Sequence, residues 1–195
     1  MEIRGKYAKK TLLAFTMLTL TLAAFVQLGS SAKIASKAWL SQYLIEQAWA
    51  RTLLGEERVR PWADTWPVAE LSVPSLDIQQ VVLSGDNASA LAFGPGMRES
   101  VDSGLELDLT ILSGHRDTHF NFLKDIALND IFQLKGPGGY RRQYQVIEMK
   151  VVDENWSLPS VNEDIKSVVI LATCYPFDSL VAGTDKRLLI FAVPS

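Results

Sequence analysis

The sequence predicts an all-β domain carried behind a membrane-spanning helix. Three observations lead there: one long uncharged apolar run near the N-terminus, a set of short β-rich runs punctuated by glycine and proline, and no alternation of strands with long helices. The chain has 195 residues, 48% hydrophobic and 21% charged, with a formal net charge of −3. These values fit one ordinary folded domain and exclude disordered, collagen-like and repeat classes. The charge balance gives no sign of nucleic-acid binding, which usually demands a strongly basic domain. A single cysteine forbids an intrachain disulfide.

The apolar run extends from Thr11 to Ala32, 22 residues without a charge. As a helix it is about 33 Å long, matching a hydrocarbon core of about 30 Å. Arg4, Lys6, Lys9 and Lys10 precede it against a lone Glu2. Residues 1–10 therefore read as a cytoplasmic flank and 11–32 as a single-pass anchor, with the rest of the chain outside the cytoplasm. The alternative is a cleaved signal peptide with Ser30-Ser31-Ala32 as its cleavage site, although the run exceeds the usual signal core. From Lys33 to Leu54 there is neither glycine nor proline, and good helix formers dominate. This predicts a helical stalk within residues 33–60, ended by Gly55 and Pro61. A helix that packs on the following domain is the other reading.

Residues 61–195 carry the β pattern. Candidate strands are Val68–Val73, Ile78–Leu83, Leu105–Leu112, Tyr144–Val152, Val168–Thr173 and Arg187–Val193, with one short helix at Leu123–Asn129. Many short strands with irregular connections predict a closed barrel or a sandwich.

Chemistry concentrates in three stretches. Ser113-Gly114-His115 ends a β-rich run, and an imidazole at a strand end suits proton transfer near neutral pH. The apolar run from Val168 delivers Thr173 and Cys174 at its end, where Pro176 stops it. Arg187 opens the last strand, and a tight return would set it beside Cys174. A thiol nucleophile, a proton carrier and a permanently charged five-donor guanidinium are the parts acyl transfer requires. By residue type alone, Cys174 also reads as a buried core residue and Arg187 as a solvated edge.

The motifs resemble those of the sortase family. Leu171-Ala-Thr-Cys174-Tyr-Pro-Phe177 followed by Arg187 is similar to the TLxTC…R signature, in the form seen in class D-like members. Ser113-Gly-His-Arg-Asp117 resembles the catalytic-histidine segment, and Glu70–Leu76 the first barrel strand. Leu91–Gly96 is similar to the segment ahead of the histidine strand, and Trp62–Pro67 with His115–Phe120 most resembles sortases described from marine proteobacteria. The stretch Glu106–Thr110 departs from the family's usual Gly-Asn-containing turn by being more acidic.

The resemblance implies an eight-stranded β-barrel and a cysteine transpeptidase of the bacterial cytoplasmic membrane, its catalytic domain extracytoplasmic. It implies Cys174 as nucleophile, His115 as general acid and base, and Arg187 as oxyanion stabiliser. The implied partners are a secreted protein with an LPXTG-like sorting signal, an amine acceptor and membrane lipid around the anchor; no cofactor or metal is implied. The competing readings are a hydrolytic cysteine peptidase of the cell envelope and a non-catalytic barrel that binds envelope peptides. An L,D-transpeptidase would carry S-H-G-C-x-R, which is absent. His119 reads as a loop or groove-rim residue, because the helix and glutamate of H-E-x-x-H are missing. Asp117 reads as a surface carboxylate. Asp102, Glu106 and Asp108 read as a solvated acidic face rather than a calcium site.

Overall fold

The structure is a computed structural model. It describes residues 2–61, 64–98, 108–155, 167–179 and 183–195, the side chains of 2–14 and of Asp108 excepted. The chain divides into two units, Met1–Gln42 and Tyr43–Ser195. The described residues of the first unit are helical, as part of α1, which spans Glu2–Leu53. From Phe15 onward α1 is long and apolar enough to cross a membrane.

The second unit opens with the last turns of α1. Here Ile45, Ala48, Trp49 and Thr52 are buried, an i, i+3, i+4, i+7 stripe. Ile45 joins Leu83 and Ala90 in a small cluster, and the Trp49 Nε1–H donates to Glu70 at 3.0 Å. This segment packs on the β domain instead of standing free of it. The helix stops at Leu53, ahead of Gly55, which takes φ +95°. The Gly55 amide then reaches the Thr52 carbonyl, and the Glu56 amide that of Arg51, a Schellman termination.

Eight strands follow: β1 Pro67–Val73, β2 Ile78–Ser84, β3 Gly96–Arg98, β4 Asp108–Ser113, β5 Ile131–Lys135, β6 Arg141–Asp153, β7 Ser167–Tyr175 and β8 Lys186–Pro194. They close into a barrel in the order β1-β2-β3-β4-β7-β8-β6-β5. The closed eight-stranded barrel agrees with the sequence expectation. Burial alternates strictly along β1, as one core-facing side requires. The barrel is filled by Leu71, Val82, Leu112, Phe132, Tyr144, Leu171 and Ile190, among others. Each fully buried Leu or Ile contributes about 1.5–3 kcal/mol. β7 is buried on both faces because Ile170 on its other face joins Leu109, Ile111, Leu189 and Phe191 in a second apolar layer.

Two strands were not anticipated: β3, only three residues long, and β5. The predicted helix at Leu123–Asn129 is instead a 3-10 turn over Asn121–Asp125. Asp130 Oδ2 accepts the Ala127 amide, and Asn129 sits at φ +72°, so the chain turns where a helix would have continued. Residues 105–107 of the predicted histidine strand lie outside the described residues, as do Asp102, Glu106 and part of the Trp62–Pro67 motif; the Asp108 side chain is likewise not described.

Candidate active site

β7 and β8 run antiparallel, and their register pairs Cys174 directly with Arg187. Directly opposed residues point to the same face with Cβ atoms about 4.5–5.5 Å apart. β4 lies parallel on the other side of β7, with Ser113 level with Ala172. β4 ends at Ser113, and the loop that follows carries His115 two residues later, toward the end of β7 that bears Cys174. Cys174 and Arg187 stand side by side on β7 and β8, on the face opposite the barrel interior, and His115 joins them from the loop after β4. All three line one cleft of about 560 Å³, together with Ile111, Ala172, Leu91, Glu154 and the Arg98–Asp86 pair. Cys174 is half-buried and His115 exposed, so thiol and imidazole are both reachable.

The histidine loop is held from several sides. The Gly114 amide donates to the Ala172 carbonyl at 3.2 Å, and the buried Thr173 hydroxyl donates to the Gly114 carbonyl at 2.7 Å. The Phe120 amide closes the loop onto the His115 carbonyl at 3.0 Å. Phe120 is fully buried, and its ring lies against Gly114 so closely that a Cβ there would come within 2.6 Å of it. Gly114→Ala is therefore expected to cost about 1–3 kcal/mol through overpacking and to displace His115. Urea unfolding alongside a turnover assay checks both effects.

Arg187 is partnered in this structure. Its Nη1 donates to the Thr184 carbonyl and, at 2.9 Å, to that of Lys186, while Nη2 faces Glu154 Oε2 at 3.4 Å. Tyr175 and Phe177, either side of a cis Tyr175–Pro176 peptide, meet edge to face at 6.4 Å and pack on the barrel core. They anchor the turn that leaves Cys174.

His119 lies apart from these three, lining a smaller cavity with Gln80, Asn121 and Asp125. Burial first, and the neighbouring His115 second, hold its pKa below the ordinary imidazole value. The unfolded chain then binds a proton that the folded chain refuses, so stability present above about pH 6.5 falls as pH drops below it. His119→Gln is expected to lose less melting temperature than the parent between pH 7.5 and 5.5, read by thermal melts at both values. Asp117 is 69% exposed, in line with a surface carboxylate. Among the described residues no group of three His, Cys, Asp or Glu converges as a metal site.

Sequence reasoning passed over Glu154, Arg98, Asp86 and Arg116. The first three carry no local signature, since only strand pairing brings them to the cleft. Arg116 stood in plain view beside His115.

The cleft brings a thiol, an imidazole and a guanidinium together on a closed eight-stranded barrel, the parts that acyl transfer requires. The sortase-domain family model matches residues 71–195, and the chain belongs to the sortase family. It is similar to Sortase D of Bacillus subtilis (strain 168), with 30% identity over 121 residues; the match spans 62% of this chain and 60% of that protein's length. Its fold is similar to sortase A from Corynebacterium diphtheriae, with TM-score 0.56 and 23% identity over 69% of this chain and 63% of that one. It is also similar to Clostridium perfringens sortase C with the C-terminal cell wall sorting motif, with TM-score 0.56 and 20% identity over 82% and 90%.

Proposed function

We propose that the protein is a membrane-anchored sortase that joins a secreted protein to an amine through a thioester. Cys174 passes its thiol proton to His115 as its Sγ attacks the backbone carbonyl carbon in an LPXTG-like sorting signal, forming a C–S bond while the carbonyl pair moves onto oxygen. The Arg187 guanidinium faces that oxyanion. His115 protonates the departing amine as the C–N bond breaks, leaving an acyl-thioester on Cys174. An incoming amine attacks the thioester, His115 accepts its proton, and the sulfur departs to regenerate the enzyme. The apolar floor of Ile111, Ala172 and Leu91 suits the Leu and Pro of such a signal. The helix with its basic flank holds the enzyme in the cytoplasmic membrane, N-terminus inside, with the barrel on the outer side where secreted substrates emerge.

The observation that carries this reading is the convergence of Cys174, His115 and Arg187 on one cleft. The test is mass spectrometry on the purified full-length chain mixed with sorting-signal peptides, with and without an amine. An acyl adduct on Cys174 that converts to an amide only when amine is present supports transfer. Conversion by water at the same rate with or without amine identifies a hydrolytic peptidase instead, and no adduct with any peptide overturns the reading.

A further inference from the structure

Arg116 is a charged side chain with only 4% of its surface exposed. It lies one residue after His115 yet does not line the cleft. Its Nη1 donates to the Pro176 carbonyl at 2.8 Å and faces the Thr184 hydroxyl at 3.4 Å. Its Nη2 donates to the Ser179 carbonyl at 2.9 Å, and its Nε to Asp117 Oδ1 at 3.2 Å. Pro176 is two residues past Cys174, and Thr184 is three before Arg187. Thr184 also gives Arg187 a carbonyl partner. One guanidinium thus ties the histidine loop to both ends of the β7–β8 connection.

A cation this deeply buried is costly unless its donors are met, and charge-assisted bonds to main-chain oxygens meet them. The partners lie in different directions around a planar fork. A lysine ammonium is a single point on a flexible stem and cannot hold them together. The side chain does not line the cleft, so its effect on chemistry passes through the segments it ties, His115 on its own loop and the β7–β8 connection that leaves Cys174. Thr173 fixes Gly114 on one side of His115, and Arg116 fixes the other.

We propose that Arg116 is a positioning residue that sets the distance between the His115 imidazole and the Cys174 sulfur by riveting the histidine loop to the β7–β8 connection. The proposal rests on the transpeptidase reading for its catalytic consequence, but its geometric core is measurable without that activity. Cys174 is the sole cysteine, so its alkylation by iodoacetamide reports on its surroundings without background.

The experiment uses the full-length chain in detergent and four forms: the parent, Arg116→Lys, His115→Ala and the double variant. Alkylation rates are measured from pH 6 to 9, with melting temperatures to establish folding. Arg116→Lys is expected to move the alkylation profile in the same direction as His115→Ala, and the double variant to match His115→Ala alone, as two residues acting through one contact should. In turnover, kcat of Arg116→Lys should fall roughly 10- to 100-fold, the scale expected for a small misplacement, with KM held within about 3-fold. An Arg116→Ala variant should regain part of its rate on adding methylguanidine.

Parent-like alkylation and kcat in Arg116→Lys would overturn the proposal. So would effects that add to those of His115→Ala and track lost melting temperature, since they describe a fold-only role. If the coupled alkylation shift appears while the parent transfers no acyl group, the transpeptidase reading fails and the positioning role stands.

Discussion

Replacing Cys174 by alanine is expected to end acyl transfer while leaving the barrel folded. The effect should reach at least about 10⁴-fold in kcat, because the Ser113 and Thr173 hydroxyls that also line the cleft are far weaker nucleophiles than a thiol, and removal of a nucleophile costs about 10⁶-fold in the best-studied case. Cys174 sits at the end of β7, half-buried, outside the apolar clusters that fill the barrel and its second layer. Losing one sulfur there opens no enclosed cavity, so the melting temperature should stay close to that of the parent. Serine at the same place should be almost as damaged, since its hydroxyl lacks the thiol's acidity. The check pairs a peptide-joining assay with a thermal melt. Joining by the alanine variant at anything near the parent rate would remove the nucleophile from its role.

Much of this site was legible because strand ends are legible. The apolar run from Val168 must end near Pro176 and the run beginning at Arg187 must return, which brings the two strand ends together, while the exact Cys174–Arg187 pairing across a ten-residue connection is a finding of the structure. His115 could be assigned to a strand end but not to a neighbour, because β4 pairs with β7 across more than 50 residues of intervening chain. No local pattern encodes such a pairing. The same limit hid β3, whose three residues are too few to show a period, and the closure of β1 onto β5. β5 reads Ile-Phe-Gln-Leu-Lys with its first residue exposed, a pattern too short to separate from loop. Gly55 was legible as the helix stop, but the sequence left open whether the last turns pack, because the burial of Ile45, Ala48 and Trp49 depends on a partner surface built much later in the chain. Arg116 was visible as a residue but not as a buried one. Its partners are carbonyl oxygens 60 and 63 residues away, and main-chain oxygens leave no mark on a sequence.

Arg187→Ala is expected to lower kcat by about 10²–10³-fold, the range seen when a single oxyanion donor is removed. The argument turns on when the guanidinium is needed. In the resting structure its fork is occupied by the carbonyls of Thr184 and Lys186 and faces Glu154. In the proposed mechanism the oxygen beside Cys174 gains negative charge on the way to the tetrahedral intermediate, whereas a ground-state carbonyl carries only a dipole. An always-charged donor therefore gains most in the transition state, and uniform loss of substrate binding is not expected. Hence kcat and kcat/KM should fall together, with KM nearly unchanged. Arg187→Lys should recover little, because an ammonium cannot keep the main-chain bonds that aim the fork while also reaching the oxyanion. A variant that raised KM and spared kcat would place Arg187 on the substrate's ground state. Glu154→Gln offers an internal control on the same axis: freed from a facing carboxylate, Arg187 should keep its full contribution, with kcat no lower than in the parent. Steady-state kinetics on these variants with one sorting-signal peptide and one amine settles which of the two roles the guanidinium performs.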